Sequence, residues 1–499
     1  MVGALATFAA APWISAPAQA YPFRLSVGSA TTGRRIAPNF LGLAFEYNTI
    51  PQLSGAAPGT VDPVFVQLLH NLDPSVRPLI RVGGLSTDRT WWPVKGMRRP
   101  LGITYGLTPA WTAAARNLAQ ATNAKLILGI NLEANRPRIS QVEGSELVSG
   151  VGAGNIAALE IGNEPDLYTL IPWYKTLHGK PIPWYMRTGS PVYARRPTYG
   201  PSQFAQEFAR TLKVLPRLPV AGPETGNAPW MSTFSRFVSR GSQVRMLTAH
   251  AYGLNQCITD PASPQYPSVP NLLNIANSRD LAAGLDPYVA LMHRDGGTFR
   301  IDEMGSVSCN GRPGVSNTFA SALWLMDSLF QMASQGIDGV NLHTYPNSVN
   351  GLFDFTRSHG QWQGTVHPLY YGALMFAQAA PAGSRLLRIS SGDQTDLRAW
   401  ATLGADHKVR VLLINDSLHG PAQTQVRVAH GAGPAALERL GAASAYATAG
   451  INLGGASFGA HTTTGVLPAP QPQAVAARAG GYEVTVPAGS AALLTIPRR

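Results

Sequence analysis

Two cysteines in 499 residues, Cys257 and Cys309, are too few for a disulfide-built scaffold. Lysine is nearly as sparse: 6 Lys stand beside 33 Arg in the Lys+Arg total of 39. Charged residues make up 13% of the chain, and no long basic run gathers the net charge of +12, so a nucleic-acid partner is not expected. Past residue 20 no stretch is long and apolar enough to span a bilayer. No Gly-rich dinucleotide fingerprint follows the first strand-like segment, which argues against a doubly wound nucleotide-binding sheet. His250 and His343 fall on different strand-like segments with no HxxxH or HxH spacing. Neither a metal site nor any other cofactor is expected from them.

What is present begins with MVGALATFAAAPWISAPAQA. These residues are small and apolar, are broken by two prolines, lack a basic n-region and end in the A-x-A pattern Ala18-Gln19-Ala20. Residues 1–20 therefore read as a signal peptide. The mature chain is expected to be secreted or periplasmic, with no membrane attachment once the peptide is removed.

From about Phe40 to Ala377 strand-like and helix-like segments alternate. FLGLAFEY, PLIRVGG, AKLILGINLE, AALEIGNEP, PVAGPE, VRMLTAHAY, TFRIDEMG and IDGVNLHTY read as eight mostly apolar strands. Helical patterns intervene. In LTPAWTAAARNLAQAT, Thr108 caps, Pro109 opens the first turn, and Trp111, Ala115 and Leu118 share a face. Strands apolar on both faces and joined by helices predict a parallel sheet covered by helices, and eight such units predict a (β/α)8 TIM barrel over residues 39–380. After residue 380 the pattern changes to short strands (DLRAWATLG, HKVRVLLIND, TQVRVAHG, GYEVTVPAGSAALLTIP) between Gly, Pro, Asp and Asn, which predicts a β-sandwich over 381–499. The segment APQPQAVAARAGG reads as a loop. FRLSVGSATTGRRIA has the same strand style, so residues 21–38 are expected to pack on the sandwich.

In a barrel, chemistry gathers where strands end. The ends offer Glu46, Asp88, Asn131, Glu133, Asn163, Glu164, His250, Tyr252, Asp302, Glu303 and His343. Glu164 ends the fourth strand and Glu303 the seventh, so their carboxyls face each other across the barrel mouth. Two opposed carboxyls, one to protonate a leaving oxygen and one to attack, suit glycosidic bond cleavage. Asn163 is placed to hold a sugar 2-hydroxyl. Cys257 and Cys309 follow the sixth and seventh strands on one face, and in an exported chain this pair is expected to bond.

IGNEP, followed 139 residues later by a strand ending in Glu303, resembles the clan of retaining barrel glycosidases. IRVGGLSTDRTWW, RIDEMGSVSCNGRPGVSNTFASALWLMDSLF and HPLYYGALMFAQAA resemble, more narrowly, glycoside hydrolase family 79, the β-glucuronidases and heparanases. The resemblance covers the barrel and runs into the sandwich. It implies Glu164 as acid/base, Glu303 as nucleophile, Tyr252 as a hydrogen-bond donor to that nucleophile, and Glu46, Asp88, Asn131 and Asn163 as contacts to sugar hydroxyls. Gly311 and Tyr345 match the positions that meet a uronate carboxylate. Leu85 departs from the pattern, where related chains carry Asn.

The implied activity is a retaining exo-β-glucuronidase acting on a glucuronic-acid-containing carbohydrate or glycoside. An endo-acting, heparanase-like enzyme on sulfated chains, an arabinofuranosidase or xylosidase of the same clan, and a non-catalytic carbohydrate-binding barrel are the alternatives. The loop PWYKTLHGKPIPWYMRTGSPVYARRP, just after Glu164, is placed to line or block the leaving-group side.

Overall fold

The computed structural model describes residues 23–72, 76–391 and 396–499. The signal-peptide expectation, at residues 1–20, lies outside the described residues.

Eight parallel strands close into a barrel: Leu41–Glu46, Leu79–Gly83, Lys125–Ile130, Ile156–Ile161, Val220–Thr225, Val244–Asn255, Thr298–Ser308 and Gly339–His343. Each pairs with its sequence neighbour, and the eighth returns to the first through His343 opposite Ala44. The strands are buried almost throughout, because helices cover their outer faces. Pro109–Ala121 forms as its signals predict, with the Thr108 hydroxyl accepting from the Trp111 N–H at 3.2 Å.

Local register sets up the site. In the seventh strand, Ile301 pairs with Ala249, yet Glu303 pairs with the next residue, His250. Asp302 is thus an extra residue, and the alternation of side chains is broken there. A similar shift lies between Pro223 and Thr225 of the fifth strand, where Glu224 takes a left-handed φ of 53°.

The C-terminal domain is one sheet of ten strands. Phe23–Arg35 enters it, antiparallel to Arg385–Ser391 and parallel to Ala422–Val428, as its strand style predicts. Leu25, Val27, Leu437, Val484 and Leu494 share one core, so the sheet curls over itself into a sandwich. APQPQAVAARAGG is not wholly loop, since Gln473–Val475 pairs with Ala435–Gly441; three residues are too short for a periodic signal.

The sandwich packs on the barrel helices Phe319–Ser334 and Pro368–Ala379. Trp400 stacks on Phe330 at 5.3 Å and donates to Asp327 Oδ1 at 2.7 Å. The Phe319 and Ala320 N–H groups donate to the carbonyls of Ala447 and Ala445. The helix carrying the chain away from Glu303 is therefore braced by the second domain.

Candidate active site

Glu303 stands at the barrel mouth with its side chain 7% exposed. Arg81 of the second strand donates from Nη1 to its Oε2 at 2.7 Å. The Tyr252 hydroxyl of the sixth strand donates to its Oε1 at 2.7 Å, and His343 Nδ1 of the eighth strand lies 3.3 Å from the same oxygen. Burial alone would raise this carboxyl, but the His343 and His250 rings and Arg81 outweigh it and hold Glu303 well below the usual carboxylate range. His343 is the counterpart: burial opposes its charge, but Glu303 and Glu46 push it up to about 10. It is an imidazolium at neutral pH.

Glu164 is built otherwise. Gly162 and Glu164 both take positive φ, 87° and 46°, so the chain turns sharply off the fourth strand. The Glu164 N–H donates to the Glu224 carbonyl at 2.9 Å, which pins the turn to the fifth strand. Its carboxyl is 16% exposed and, among the described residues, has one side-chain hydrogen-bond partner, His250 Nδ1 at 3.1 Å from Oε1. Asp166 stands close by, pushed up to about 6 by burial first and by the Glu164 charge second.

One oxygen of Glu164, one nitrogen of His250 and one oxygen of Glu303 lie within 4.8 Å of one another. Glu224, His250 and Asp302 bring three further donor atoms together by the same measure. By geometry these are the side chains that could take a cation, although the second group is crowded round Arg81.

The other expected contacts divide. Glu46 reaches the mouth, with Oε2 accepting from the Ser86 N–H at 2.8 Å and His343 Nε2 at 3.6 Å from Oε1. Asn163 gives Oδ1 to Arg81 at 2.9 Å and its own N–H to Asp88 at 3.0 Å. Its Nδ2 meets no acceptor among the described residues. Asp88 and Asn131 are 2% and 1% exposed, and their polar atoms are already engaged. Asp88 accepts from the N–H groups of Leu132, Glu133 and Asn163 and from the Tyr168 hydroxyl. Asn131 Nδ2 donates to the carbonyls of Asp88 and Thr90. Both tie the second, third and fourth strand ends together. Strand-end position could not separate these roles, because it does not say which donors a buried carboxyl meets.

Tyr345 and Gly311 come together. The Tyr345 hydroxyl donates to Asn310 Oδ1 at 3.4 Å. Cys309, Asn310 and Gly311 are three successive left-handed residues, and among the described residues no backbone carbonyl takes the N–H of Asn310 or Gly311. A Cβ on Gly311 would meet the Val349 side chain at 3.1 Å, so the turn requires glycine twice over. Cys257 and Cys309 flank this turn as neighbouring exposed thiols. The Cys309 thiol is pushed up to about 11 by burial and by the Cys257 thiol beside it.

The loop after Glu164 carries a small three-stranded sheet, Tyr174–Leu177, Lys180–Ile182 and Ser190–Val192, which short polar strands with prolines did not announce. Trp173 Nε1 donates to the Asp88 carbonyl at 3.1 Å, and Arg89 lies 5.0 Å over the Trp184 ring, so the sheet is fastened to the rim of the cleft.

Residues 399–493 match the model of the glycosyl hydrolase family 79 C-terminal beta domain. The β-glucuronidases of Aspergillus niger and Neurospora crassa are each 23% identical to this chain, over 412 and 455 residues. Those alignments cover 75% and 81% of this chain and 71% and 76% of the fungal proteins. The chain is a glycoside hydrolase, and its C-terminal domain and its relatives are those of family 79. Among solved structures, the glycosidase shares its fold with a 4-O-α-L-rhamnosyl-β-D-glucuronidase from Fusarium oxysporum (TM-score 0.68, 17% identity, 94% of this chain and 100% of that one). It shares it also with a GH51 arabinofuranosidase from Xanthomonas axonopodis pv. citri (TM-score 0.65, 14% identity, 95% and 100%).

Proposed function

We propose that this glycosidase is a retaining exo-β-glucuronidase, with Glu303 as nucleophile and Glu164 as acid/base. The observation that carries the reading is the pairing of unlike carboxyls at short range. An oxygen of each lies within 4.8 Å of the other, which favours the ~5–5.5 Å carboxyl separation of a retaining enzyme over the ~6.5–9.5 Å of an inverting one. Glu303 is held as an anion by Arg81, Tyr252 and His343, while the Glu164 carboxyl has one side-chain hydrogen-bond partner among the described residues, the His250 imidazole.

Glu303 attacks the anomeric carbon as Glu164 gives its proton to the leaving oxygen. Glu164 then takes a proton from water as that water displaces Glu303 from the sugar. Tyr252 and Arg81 keep both Glu303 oxygens fixed, so the attacking lone pair needs little reorganisation. Glu46 and the Asn163 amide stand ready for sugar hydroxyls.

Specificity for a uronate is supported by the free N–H groups of Asn310 and Gly311, the adjacent Tyr345 hydroxyl and the His343 cation nearby. Donors of this kind favour a C6 carboxylate over a C6 hydroxymethyl. The β-glucuronidase relatives support the same substrate class. A panel of nitrophenyl glycosides tests it: the glucuronide should be cleaved at least a hundredfold faster than glucoside, xyloside or arabinofuranoside, about 2.7 kcal/mol of discrimination. Equal rates would remove the uronate reading, and an arabinofuranoside preference would replace it. Proton NMR of the first-formed sugar tests retention, because an α-anomer from a β-glucuronide rules it out.

A further inference from the structure

Beneath the two candidate catalytic carboxyls lies a second layer of charge that bond cleavage does not use. Arg81, 1% exposed, reaches carboxyls from three other strands. Nε meets Glu160 Oε2 at 2.7 Å, Nη1 meets Glu303 Oε2 at 2.7 Å, and Nη2 meets Glu224 Oε2 at 3.0 Å. Asp302 Oδ2 lies 3.3 Å from Nε, whose single N–H is already spent on Glu160. The two register shifts make this crowd possible. The extra residue in the seventh strand lets consecutive side chains, Asp302 and Glu303, both face Arg81. Gly83 leaves the space, since a Cβ there would stand 2.7 Å from the guanidinium carbon.

One guanidinium cannot balance four buried carboxylates. Even with the His343 imidazolium beside Glu303, full ionisation would leave two unpaired negative charges where Glu160, Glu224 and Asp302 are 0% exposed. The free oxygens show where the imbalance is relieved. Glu160 Oε1, Glu224 Oε1 and both oxygens of Asp302 have no N–H or O–H donor among the described residues. The carboxyls of Glu224 and of Asp302 each stand within hydrogen-bond reach of Glu160.

We infer that Glu224 and Asp302 are neutral acids, each donating its O–H to Glu160, so that Arg81 holds only two anions, Glu160 and the nucleophile Glu303. Burial and the Glu160 charge push both acids well above the usual range against Arg81, whereas at Glu160 Arg81 outweighs burial and the carboxyl is lowered. The other ionisable or charged groups facing this layer among the described residues include the fully buried Tyr47, the Arg300 guanidinium near Asp302, His250, whose Nε2 is 3.8 Å from Asp302 Oδ1, and His343 and Tyr252 on the far oxygen of Glu303. Neither acid touches substrate. They are positioning residues: were either to ionise, Arg81 would be drawn to it and away from Glu303.

The inference rests on Glu303 as nucleophile only in its kinetic arm. Glu224→Gln and Asp302→Asn imitate neutral acids and should keep kcat/KM within about threefold of wild type, whereas Glu160→Gln should lower it about a hundredfold or more. Infrared difference spectra at neutral pH give the direct readout. Each amide variant should lose one protonated-carboxyl carbonyl band that the wild type shows, whatever the substrate. Both results support the inference. Loss of carboxylate bands instead, an amide variant that does not fold or falls a hundredfold, or one divalent cation per chain in elemental analysis of the purified protein would overturn it. A wild type inactive on every glycoside would sink the nucleophile reading and leave the infrared spectra to decide the protonation.

Discussion

The fourth and seventh strands each deliver one glutamate to the same cleft, and they do so by different means. The seventh-strand end is crowded with positive charge and hydroxyl: Arg81, His343 and Tyr252 converge on Glu303. The fourth-strand end is poor in both. Glu164 sits on a left-handed turn with one imidazole partner and a carboxyl, Asp166, as its near neighbour. The same residue type is thus given opposite surroundings by what the barrel brings to it. A group that must attack needs a stable negative charge, and a group that must donate needs surroundings that do not strip its proton.

The largest test of this contrast is to replace each carboxyl. Glu303→Gln should lower kcat/KM roughly 10⁴-fold or more on every substrate, since no other group can form the glycosyl bond. Glu164→Gln should fall comparably on a poor leaving group but only ~10–100-fold on a nitrophenyl glucuronide, whose departure needs little protonation. Equal leaving-group sensitivity in the two variants would break the contrast.

Both thiols belong to the seventh-strand side. Cys257 and Cys309 sit side by side at the turn holding Asn310 and Gly311, and nothing similar supports Glu164. We expect the pair to bond in an oxidising environment. Closing a loop of about 50 residues should then contribute about 4 kcal/mol on the chain-entropy account. Two reactive thiols in the unfolded, unreduced protein would refute the bond. With the bond present, reduction should lower Tm and weaken glucuronide binding more than turnover.

How much of this was legible in the sequence depends on the physics involved. The eight strands declared themselves because burial on both faces demands continuous apolar runs. Glu164 and Glu303 stood out because a carboxylate ending such a run is costly unless used. The charge layer was hidden by the same logic. Arg81 in PLIRVGG, Glu160 in AALEIGNEP and Glu224 in PVAGPE each looked like one blemish in an apolar run. The signal was that three such blemishes, of both signs, occur at barrel-interior depth, but only closure of the barrel shows that they meet. The hydrogen-bond partners of Asp88 and Asn131 were hidden for a related reason. Their backbone-donor partners arise from the turn of residues 131–135 and the helix after Gly83, which no side-chain pattern encodes.

A smaller effect should come from the uronate side. Tyr345→Phe removes one hydroxyl beside the Asn310–Gly311 turn and should lower kcat/KM for the glucuronide about tenfold, ~1.4 kcal/mol, leaving any trace of glucosidase activity unchanged. An equal loss on both substrates would mean that Tyr345 only shapes the pocket.

The two strand ends should also titrate in different windows, and the sign is the same for both. A group whose folded pKa is raised holds more protons in the folded than in the unfolded state, so stability falls as pH rises between the two values. For His343 that window runs from its ordinary 6.5 to about 10: its stabilising charge is fully present below the first value and lost through the second. His343→Gln should therefore be less stable than wild type at pH 6, with the gap closing toward pH 10. For Asp166 the window runs from 3.8 to about 6. Asn imitates its neutral form, so Asp166→Asn should match wild type near pH 3.8 and become more stable by about 1 kcal/mol above pH 6, since burial first and the Glu164 charge second disfavour the Asp166 anion. Thermal unfolding of the three proteins across pH 4–10 reads both windows at once. A less stable Asp166→Asn at pH 7.5 would mean that the fourth-strand end carries no like-charge strain, and the asymmetry between the two carboxyls would then rest on the seventh strand alone.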